Sequence, residues 1–494
     1  MHLIPTPRKI EVKSGFYYFE EKPQIKKEVK HSFLTDEGYR LTIDENGVLI
    51  EGGSEKGVYY GEVTLKQLMH NYRGLLPYIY ISDEPEFSYR GFMIDSSRHF
   101  FTIEEIKKII DACALFKFNK FHFHLTDDQG FRFEMKEYPL LTEIGSKRRA
   151  SEFSKEENVK EEYAYFYTKD ELKEIVAYCH ERYIEVIPEF DIPGHTTSLI
   201  AAYPEISCKG ENIETKTKGG IFDDILCVGN PETEKVIHAV IDEMCEIFDS
   251  KYFHIGGDEV PKTRWVECKK CRAKKDELGF KNFQELQGWF MNEVSAYLKT
   301  KGKIAICWND ALKGGNIEAD NTIISYWYER NNNSVNWVNS GNKLIVECNT
   351  PLYADYPYAV NSLEKIYKFK PKKLKGLTEI GANSILGIES PIWTEHIKNF
   401  NELTSMCFPR WFAVAEIAWT GGENKEYKSF LATTQFFCDI LKEMKIPSCE
   451  KNEWLGTPQR KISQLVNYGK RMITPESVVD FLRLQKNEIT GGDE

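Results

Sequence analysis

KYFHIGGDEV, residues 251–260, is a short apolar run interrupted by two glycines and closed by two adjacent carboxylates, Asp258 and Glu259. Such a run bounded by Gly reads as a buried strand that stops abruptly at the open end of a sheet. Gly256 and Gly257 carry no Cβ, so backbone or substrate can come close there. On extended chain Asp258 and Glu259 point to opposite sides, and two carboxylates crowded into one site push their pKa values apart. That arrangement suits acid/base work; a charged turn after a strand is the ordinary alternative, and the rest of the chain decides between them.

Seven more short apolar strands flank this one. They are GFMID (91–95), KFHFHL (120–125), YIEVIPEF (183–190), KIAICW (303–308), TIISYW (322–327), KLIVEC (343–348) and NSILGIE (383–389). Amphipathic helical stretches lie between several of them, among them IEEIKKIIDACALFK (103–117), KDELKEIVAYCHER (169–182) and NPETEKVIHAVIDEMCEIF (230–248). Strands alternating with helices on this scale predict a parallel sheet, and eight of them predict an α/β fold of the (β/α)8 barrel type over residues 86–420. A doubly wound open sheet is the alternative, but no glycine-rich phosphate loop follows the first strand. Residues 1–85 read as a small α/β domain, with strands in EVKSGFYYFE and VLIEGG and helical spacing at Tyr60, Val63, Leu65 and Leu68. Residues 421–494 read as a C-terminal extension, a helix (YKSFLATTQFFCDILKEM) packed on the barrel followed by a partly mobile polar end.

Composition narrows the function classes. Hydrophobic residues at 41% and aromatics at 13% supply a large core, and a net charge of −11 argues against nucleic-acid or anionic-membrane partners. The N-terminal MHLIPTPRKIEVKSG has no signal-peptide core, and no run reaches membrane-spanning length. With 12 scattered cysteines, this predicts free thiols and a cytoplasmic location. Cys268 and Cys271 form one CxxC in a Lys-rich helix; with no second pair or nearby His to complete a set, no structural zinc is expected.

In such a barrel the chemistry sits where strands end. Those ends carry Asp95, His122 and His124, Asp191 and His195, Asp258 and Glu259, Trp308 and Asp310, Trp327, Tyr353 and Asp355, and Trp393 and Glu395. Acetal cleavage needs an acid for the leaving oxygen and a group to stabilise charge at the anomeric carbon. Raising a glutamate to the roughly 6–7 of a working acid takes about 3 kcal/mol, within reach of burial and a neighbouring carboxylate. Indole faces bind sugar rings and shelter an acetyl methyl, so three tryptophans at strand ends point to a sugar pocket.

The motifs HIGGDEV, YRGFMIDSSRHF (89–100), HFHLTDDQGFRFE (122–134) and EFDIPGH (189–195) together resemble glycoside hydrolase family 20, the β-N-acetylhexosaminidases. So do WND (308–310), PLYADYP (351–357), SLEKIYKF (362–369), ESPIWTE (389–395) and FPRWFAVAEIAW (408–419), and GVYYGEVTLKQL in the preceding domain. The resemblance implies a retaining, substrate-assisted mechanism in which the substrate's 2-acetamido carbonyl attacks the anomeric carbon, without a cofactor. Asp258 is then the group that orients the acetamido N–H, and Glu259 the general acid and later base. Arg90 is expected to grip O3 and O4, Trp308, Trp327 and Trp393 to wall the acetamido pocket, and Tyr353 to donate to its carbonyl. Asp355 and Glu395 are expected on sugar hydroxyls, with Asp191 and His195 supporting the acid. The implied partner is a small oligosaccharide or glycoconjugate ending in N-acetylhexosamine, cleaved by exo action or, in a variant of the family, as a disaccharide. His122 and His124 read as structural histidines. Two rivals remain: a metal-dependent barrel hydrolase using His122, His124, His195, His254 and Asp310, and a sugar-binding barrel without catalysis. EDTA treatment and Glu259→Gln separate them.

Overall fold

The computed structural model describes residues 1–30, 34–72, 74–154, 157–423 and 426–472. Its first unit is a five-stranded sheet of β1 (Lys9–Tyr18), β2 (Ile25–Val29), β3 (Tyr39–Asp44), β4 (Gly47–Gly52) and β5 (Leu75–Asp83), in the order β1-β5-β3-β4-β2. Helix α1 (Glu55–Asn71) crosses between β4 and β5, capped by Ser54, and buries Tyr60, Val63, Leu65 and Leu68. These close over Tyr39, Leu41, Ile43, Ile79 and Ile81 on one face of the sheet.

The eight expected strands all form: β6 (Tyr89–Asp95), β7 (Lys120–His124), β8 (Glu185–Glu189), β9 (Tyr252–His254), β10 (Ile304–Trp308), β11 (Thr322–Tyr326), β12 (Leu344–Val346) and β13 (Ile385–Ile392). Each pairs in parallel with the next, and β13 returns to β6, so the sheet closes into a barrel rather than opening into a doubly wound sheet. Several crossovers are helices with strong local start signals. Helix α2 (Ile103–Leu115) begins in a capping box of Thr102 and Glu105, and α3 (Lys169–His180) in one of Thr168 and Glu171. Asn230 caps α4 (Pro231–Ile247), with Pro at its first position. Outward strand residues such as Phe92, Phe121 and Phe123 pack under the helices, against Trp411 on α8 (Arg410–Thr420) among others. Two further helices, α5 (Lys269–Glu277) and α6 (Phe283–Thr300), fill the β9–β10 crossover, and α7 (Asn333–Asn339) lies between β11 and β12.

The barrel interior has two characters. Near the strand starts Tyr89, Ile187, Ile306, Ile323 and Ile345 make an apolar layer. Above it lie His122, Glu189, His254, Glu347 and Glu389, all buried.

Two sequence expectations are corrected here. Arg90 is the second residue of β6, at the strand start, about 17 Å of extended chain below the strand's last residue Asp95. Its guanidinium bonds Glu37 at 2.7 Å and Tyr60 Oη at 2.7 Å and lies against the rings of Tyr60 and Trp419. It joins the first domain to the underside of the barrel and does not reach the strand-end face. Likewise, the CxxC pair is not isolated: Cys208 and Cys227, from the long loop after β8, meet Cys268 and Cys271 with sulfurs within 4.8 Å of one another. Cys208 and Cys227 stand 41 or more residues before the CxxC in sequence, and only the fold brings them to it.

After the barrel, α9 (Tyr427–Glu443) packs as expected, burying Phe430 and Phe437. A further helix, α10 (Pro458–Met472), follows where the sequence predicts a polar end; the terminal GGDE lies outside the described residues. Among the described residues no helix is long and apolar enough to cross a membrane.

Candidate active site

At the carboxyl ends of the strands a cavity of about 970 Å³ opens. Its lining includes Asp191, His195, Asp258, Glu259, Trp327, Tyr353, Asp355, Trp393 and Glu395, nine of the eleven residues singled out from the sequence for catalysis or binding. Arg90 is absent for the reason given above. Trp308 sits one layer down: it is buried, its ring is 5.9 Å from that of Trp393, and its Nε1–H donates to Glu189 at 2.9 Å. It supports the pocket from beneath instead of facing it.

The two carboxylates of the opening motif are positioned by an irregular turn. β9 ends at His254, and Gly256 and Gly257 follow with φ of +63° and +99°. A Cβ on Gly256 would overlap the Asp191 carboxylate, so glycine is what lets β8 and β9 loops touch. The Gly257 amide donates to Asp191 Oδ1 at 3.3 Å. Glu259 and His195 are themselves held in the left-handed region, at φ of +47° and +51°, a conformation costing a non-glycine residue roughly 1 kcal/mol or more.

A chain of ionisable groups runs beneath this turn. His195 Nε2 lies 3.6 Å from Glu259 Oε2 and 3.9 Å from Asp258 Oδ2. Its Nδ1 faces Asp127 Oδ1 at 3.3 Å and Asp128 Oδ2 at 3.2 Å. Asp128 is fixed in turn by the Thr197 amide, which donates to its Oδ1 at 2.9 Å. Burial works against a charged His195, but Asp127 and Asp128 outweigh it and hold the imidazole well above its ordinary range. Burial foremost, with Glu259 and Asp310 adding to it against the pull of His195, pushes Asp258 up to about 7. Asp191 is driven up by burial and then by Asp258. Asp258 Oδ1 is buried with no hydrogen-bond partner among the described residues.

On the opposite wall Arg98, three residues past the end of β6, does what Arg90 cannot. It lines the cavity, with Nη2 at 2.7 Å from Asp127 and 3.9 Å from Glu395 Oε1, Nη1 at 3.3 Å from Asp95, and its guanidinium over the Trp393 ring. Asp355 is raised to about 7 by burial and by Glu395. Trp327 is aimed by its Nε1–H bond to Asp310 Oδ2 at 2.8 Å, and its ring lies nearly parallel to that of Tyr353, 6.4 Å away. Lys218, Gly219 and Gly220 of the long loop after β8 form part of the rim, as do Gln464 and Tyr468 of α10.

Of the histidines a metal hydrolase would use, His195 lines the cavity, while His122, His124 and His254 lie in the barrel interior beneath it. His122 bonds Glu389 at 2.7 Å, His124 bonds Asp127 at 3.0 Å and Glu189, and His254 lies 2.9 Å from Glu189. All three are buried in the barrel interior beneath the cavity, and Asp310 is committed to Trp327 and Lys313. The sequence signal for Arg98 and for Asp127 and Asp128 was present in RGFMIDSSRHF and HLTDDQG: all three follow a strand end, where Arg90 precedes one.

Sequence comparison matches residues 87–422 to the catalytic domain of glycosyl hydrolase family 20 and residues 20–84 to domain 2 of that family. A β-hexosaminidase of Porphyromonas gingivalis is 37% identical over 421 residues, 80% of this chain; the chain spans about half, 52%, of that protein's length. A β-hexosaminidase of Akkermansia muciniphila is 32% identical, over 87% of this chain and 88% of the relative. Among solved structures, the family 20 exo β-N-acetylglucosaminidase of Vibrio harveyi in complex with N-acetylglucosamine superposes with a TM-score of 0.80 at 27% identity, covering 91% of this chain and 78% of that one.

Proposed function

The chain belongs to glycosyl hydrolase family 20, and from that premise we propose that it is a retaining exo-β-N-acetylhexosaminidase, releasing terminal β-linked GlcNAc or GalNAc by substrate-assisted catalysis. One observation carries the mechanism. Asp258 presents a buried carboxylate oxygen with no partner among the described residues, in an aromatic-walled cavity, with Glu259 next to it in sequence. An acetamido N–H is the donor such an oxygen calls for, and an acetyl methyl the apolar group that Trp327, Tyr353 and Trp393 would enclose.

In the first step the carbonyl oxygen of the substrate's own 2-acetamido group bonds to the anomeric carbon as the glycosidic C–O bond breaks. Glu259 gives its proton to the departing oxygen. The positive charge that spreads over the resulting oxazolinium ring is balanced by Asp258, whose carboxylate also accepts the N–H. In the second step Glu259 takes a proton from water, the water oxygen bonds to the anomeric carbon, and the ring opens to regenerate the acetamide. Two inversions give net retention. A nucleophile attached to the substrate removes up to roughly 7–11 kcal/mol of barrier by proximity, so no protein nucleophile is needed.

His195, drawn towards its charged form by Asp127 and Asp128, sits within 4 Å of both carboxylates and pulls Asp258 towards its anion, against the rise that burial imposes. Arg98, in place of Arg90, and Glu395 and Asp355 would take the sugar hydroxyls, the guanidinium offering paired donors. The N-acetylglucosamine held by the Vibrio harveyi relative supports this ligand class.

The test is hydrolysis of aryl N-acetyl-β-glucosaminide and galactosaminide, alongside aryl β-glucoside and lacto-N-biose substrates, with the product anomer followed by NMR. Retained configuration, strong inhibition by a thiazoline analogue of the intermediate and dependence on the N-acetyl group are expected. An inverted product, or a plain glucoside cleaved as fast, refutes the mechanism.

A further inference from the structure

Four cysteines from three separate segments converge on the flank of the barrel, away from the cavity floor. Cys208 follows the turn at Pro204–Ile206, Cys227 stands at the far end of the same loop, and Cys268 and Cys271 bracket the first turn of α5. Cys227, Cys268 and Cys271 are buried and Cys208 half-buried. The sulfur separations are 3.6 Å for Cys227–Cys271, 3.7 Å for Cys227–Cys268 and 3.8 Å for Cys208–Cys271. A disulfide requires about 2.05 Å, so these are not bonded pairs. Four sulfurs at about 2.3 Å from one centre, at the corners of a tetrahedron, stand about 3.8 Å apart along every edge. Three of the six observed spacings fall on that figure, and the other three lie within 4.8 Å.

The backbone is built for the same approach. The Cys227 amide donates to the Ile206 carbonyl at 2.8 Å, and Ser207 bridges Leu226, so the two ends of the loop are zipped together where the first two sulfurs leave it. A Cβ on Gly229 would collide with the Lys270 carbonyl and the Cys271 amide; glycine lets the Cys227 segment lie directly on the CxxC turn. The Gly229 N–H is directed at the sulfurs of Cys227 and Cys271. Four thiols packed this tightly gain little from one another without a cation, because a thiol is a small side chain and only a weak hydrogen-bond donor. Lys269, Lys270 and Arg272 flank the cluster in sequence and complement a doubly negative tetrathiolate.

We propose that Cys208, Cys227, Cys268 and Cys271 bind one structural zinc ion, which staples the loop after β8 to helix α5. Binding releases the four thiol protons and forms a zinc tetrathiolate with no open coordination position, so the ion takes no part in catalysis. What it does is mechanical. The loop between Cys208 and Cys227 carries Lys218, Gly219 and Gly220, part of the cavity rim, and α5 follows the turn that bears Asp258 and Glu259. One ion therefore ties two of the loops that shape the site.

The experiment is metal analysis of the full chain, purified without chelator from zinc-supplemented cells. About one zinc per chain is expected, and under mild denaturation four of the 12 cysteines should stay shielded from a thiol reagent until a strong chelator is added. Cobalt exchange should give the intense sulfur-to-metal absorption of a tetrahedral tetrathiolate. Cys208→Ser, at the half-buried corner, should lose most of the zinc and unfold at lower temperature, whereas Cys307→Ser, a buried cysteine outside the cluster, should keep it. Should Cys208→Ser not fold, the cobalt spectrum of the unmodified chain decides. Less than about a tenth of an equivalent of zinc with all thiols freely reactive overturns the proposal. So do iron in place of zinc, a mass short by four hydrogens from two disulfides, or a cobalt derivative without sulfur-to-metal bands. The outcome is independent of glycosidase activity.

Discussion

Replacing Asp258 by asparagine should stabilise the unliganded protein at alkaline pH while nearly abolishing turnover. The folded protein raises this carboxyl from its ordinary 3.8 to about 7, chiefly by burial. Between those values the native state holds a proton that the unfolded chain has released, so stability falls as pH climbs through that window, and the full penalty is present above pH 7. Through linkage, the native state carries ~2 kcal/mol of this penalty at pH 5 and ~4 kcal/mol at pH 8, both upper bounds. Asparagine is neutral at both, so its gain in stability should grow by ~2 kcal/mol from pH 5 to pH 8, a Tm difference of a few degrees. Turnover behaves oppositely. The carboxamide oxygen can still accept the acetamido N–H but cannot balance the oxazolinium charge, and a loss of about 10²–10³ in kcat is expected. Thermal unfolding of both proteins at the two pH values, with kcat measured on an aryl N-acetyl-β-glucosaminide, checks both halves. A stability difference that is the same at pH 5 and pH 8, or a kcat within threefold of the unmodified enzyme, refutes the reasoning.

Arg98→Ala should raise KM for the aryl glycoside by about 10-fold or more, the loss of charge-assisted bonds to hydroxyls, whereas Arg90→Ala should leave KM near its original value and lower Tm by removing the buried Glu37 partner; steady-state kinetics with thermal melts separates the two. Glu259→Gln should lose about 10²–10⁴ in kcat/KM on a substrate with a poor leaving group and far less on one with a dinitrophenyl leaving group, read by comparing both aglycones. Tyr468→Ala, on α10 at the rim, should weaken binding of chitobiose and longer chains more than that of the free monosaccharide product, measured by inhibition constants.

How much of this was legible in the chain depended on how local the signal was. Each barrel strand announced itself, because a strand buried on both faces must be apolar over several consecutive residues and then meet a polar loop. The carboxylates, tryptophans and histidine at the strand ends were legible for the same reason. Arg90 and Arg98 show the limit: both lie in one motif, and only the direction of β6 separates the arginine that enters the strand from the one that leaves it. Trp308, the final residue of its strand, still points into the barrel, so its indole falls beneath the pocket. The cysteine cluster was illegible for a different reason. Two of its members lie in a loop without periodic pattern, and their meeting with α5 is a product of tertiary packing. Helix α10 carries Ile462, Leu465 and Val466 at helical spacing, but these stay exposed, and its contacts with the rim come from Gln464 and Tyr468.

The layer of buried charge beneath the cavity is costly, and its position explains why the fold tolerates it. Glu189 lies in contact with His122, His124 and His254, and the electrostatic influence of these rings holds its carboxyl well below the ordinary range against the cost of burial. Glu389 takes His122 and the Tyr89 hydroxyl, at 2.7 and 2.6 Å. Apolar side chains of similar volume would fill the same space at equal or lower free energy, so stability is not what this layer supplies. Its directional bonds fix what apolar packing would leave free. The Trp308 indole is aimed by Glu189, Trp393 rests 5.9 Å above it, and Arg98 lies over Trp393 while bonded to Asp127. Asp127 in turn faces His195, which stands beside Asp258 and Glu259. A carboxylate that must meet a cation existing only for the length of one reaction step has to be in place beforehand, because reorganisation at that moment would add to the barrier. The interior network is the rigid floor on which Asp258 and Glu259 are held for that step.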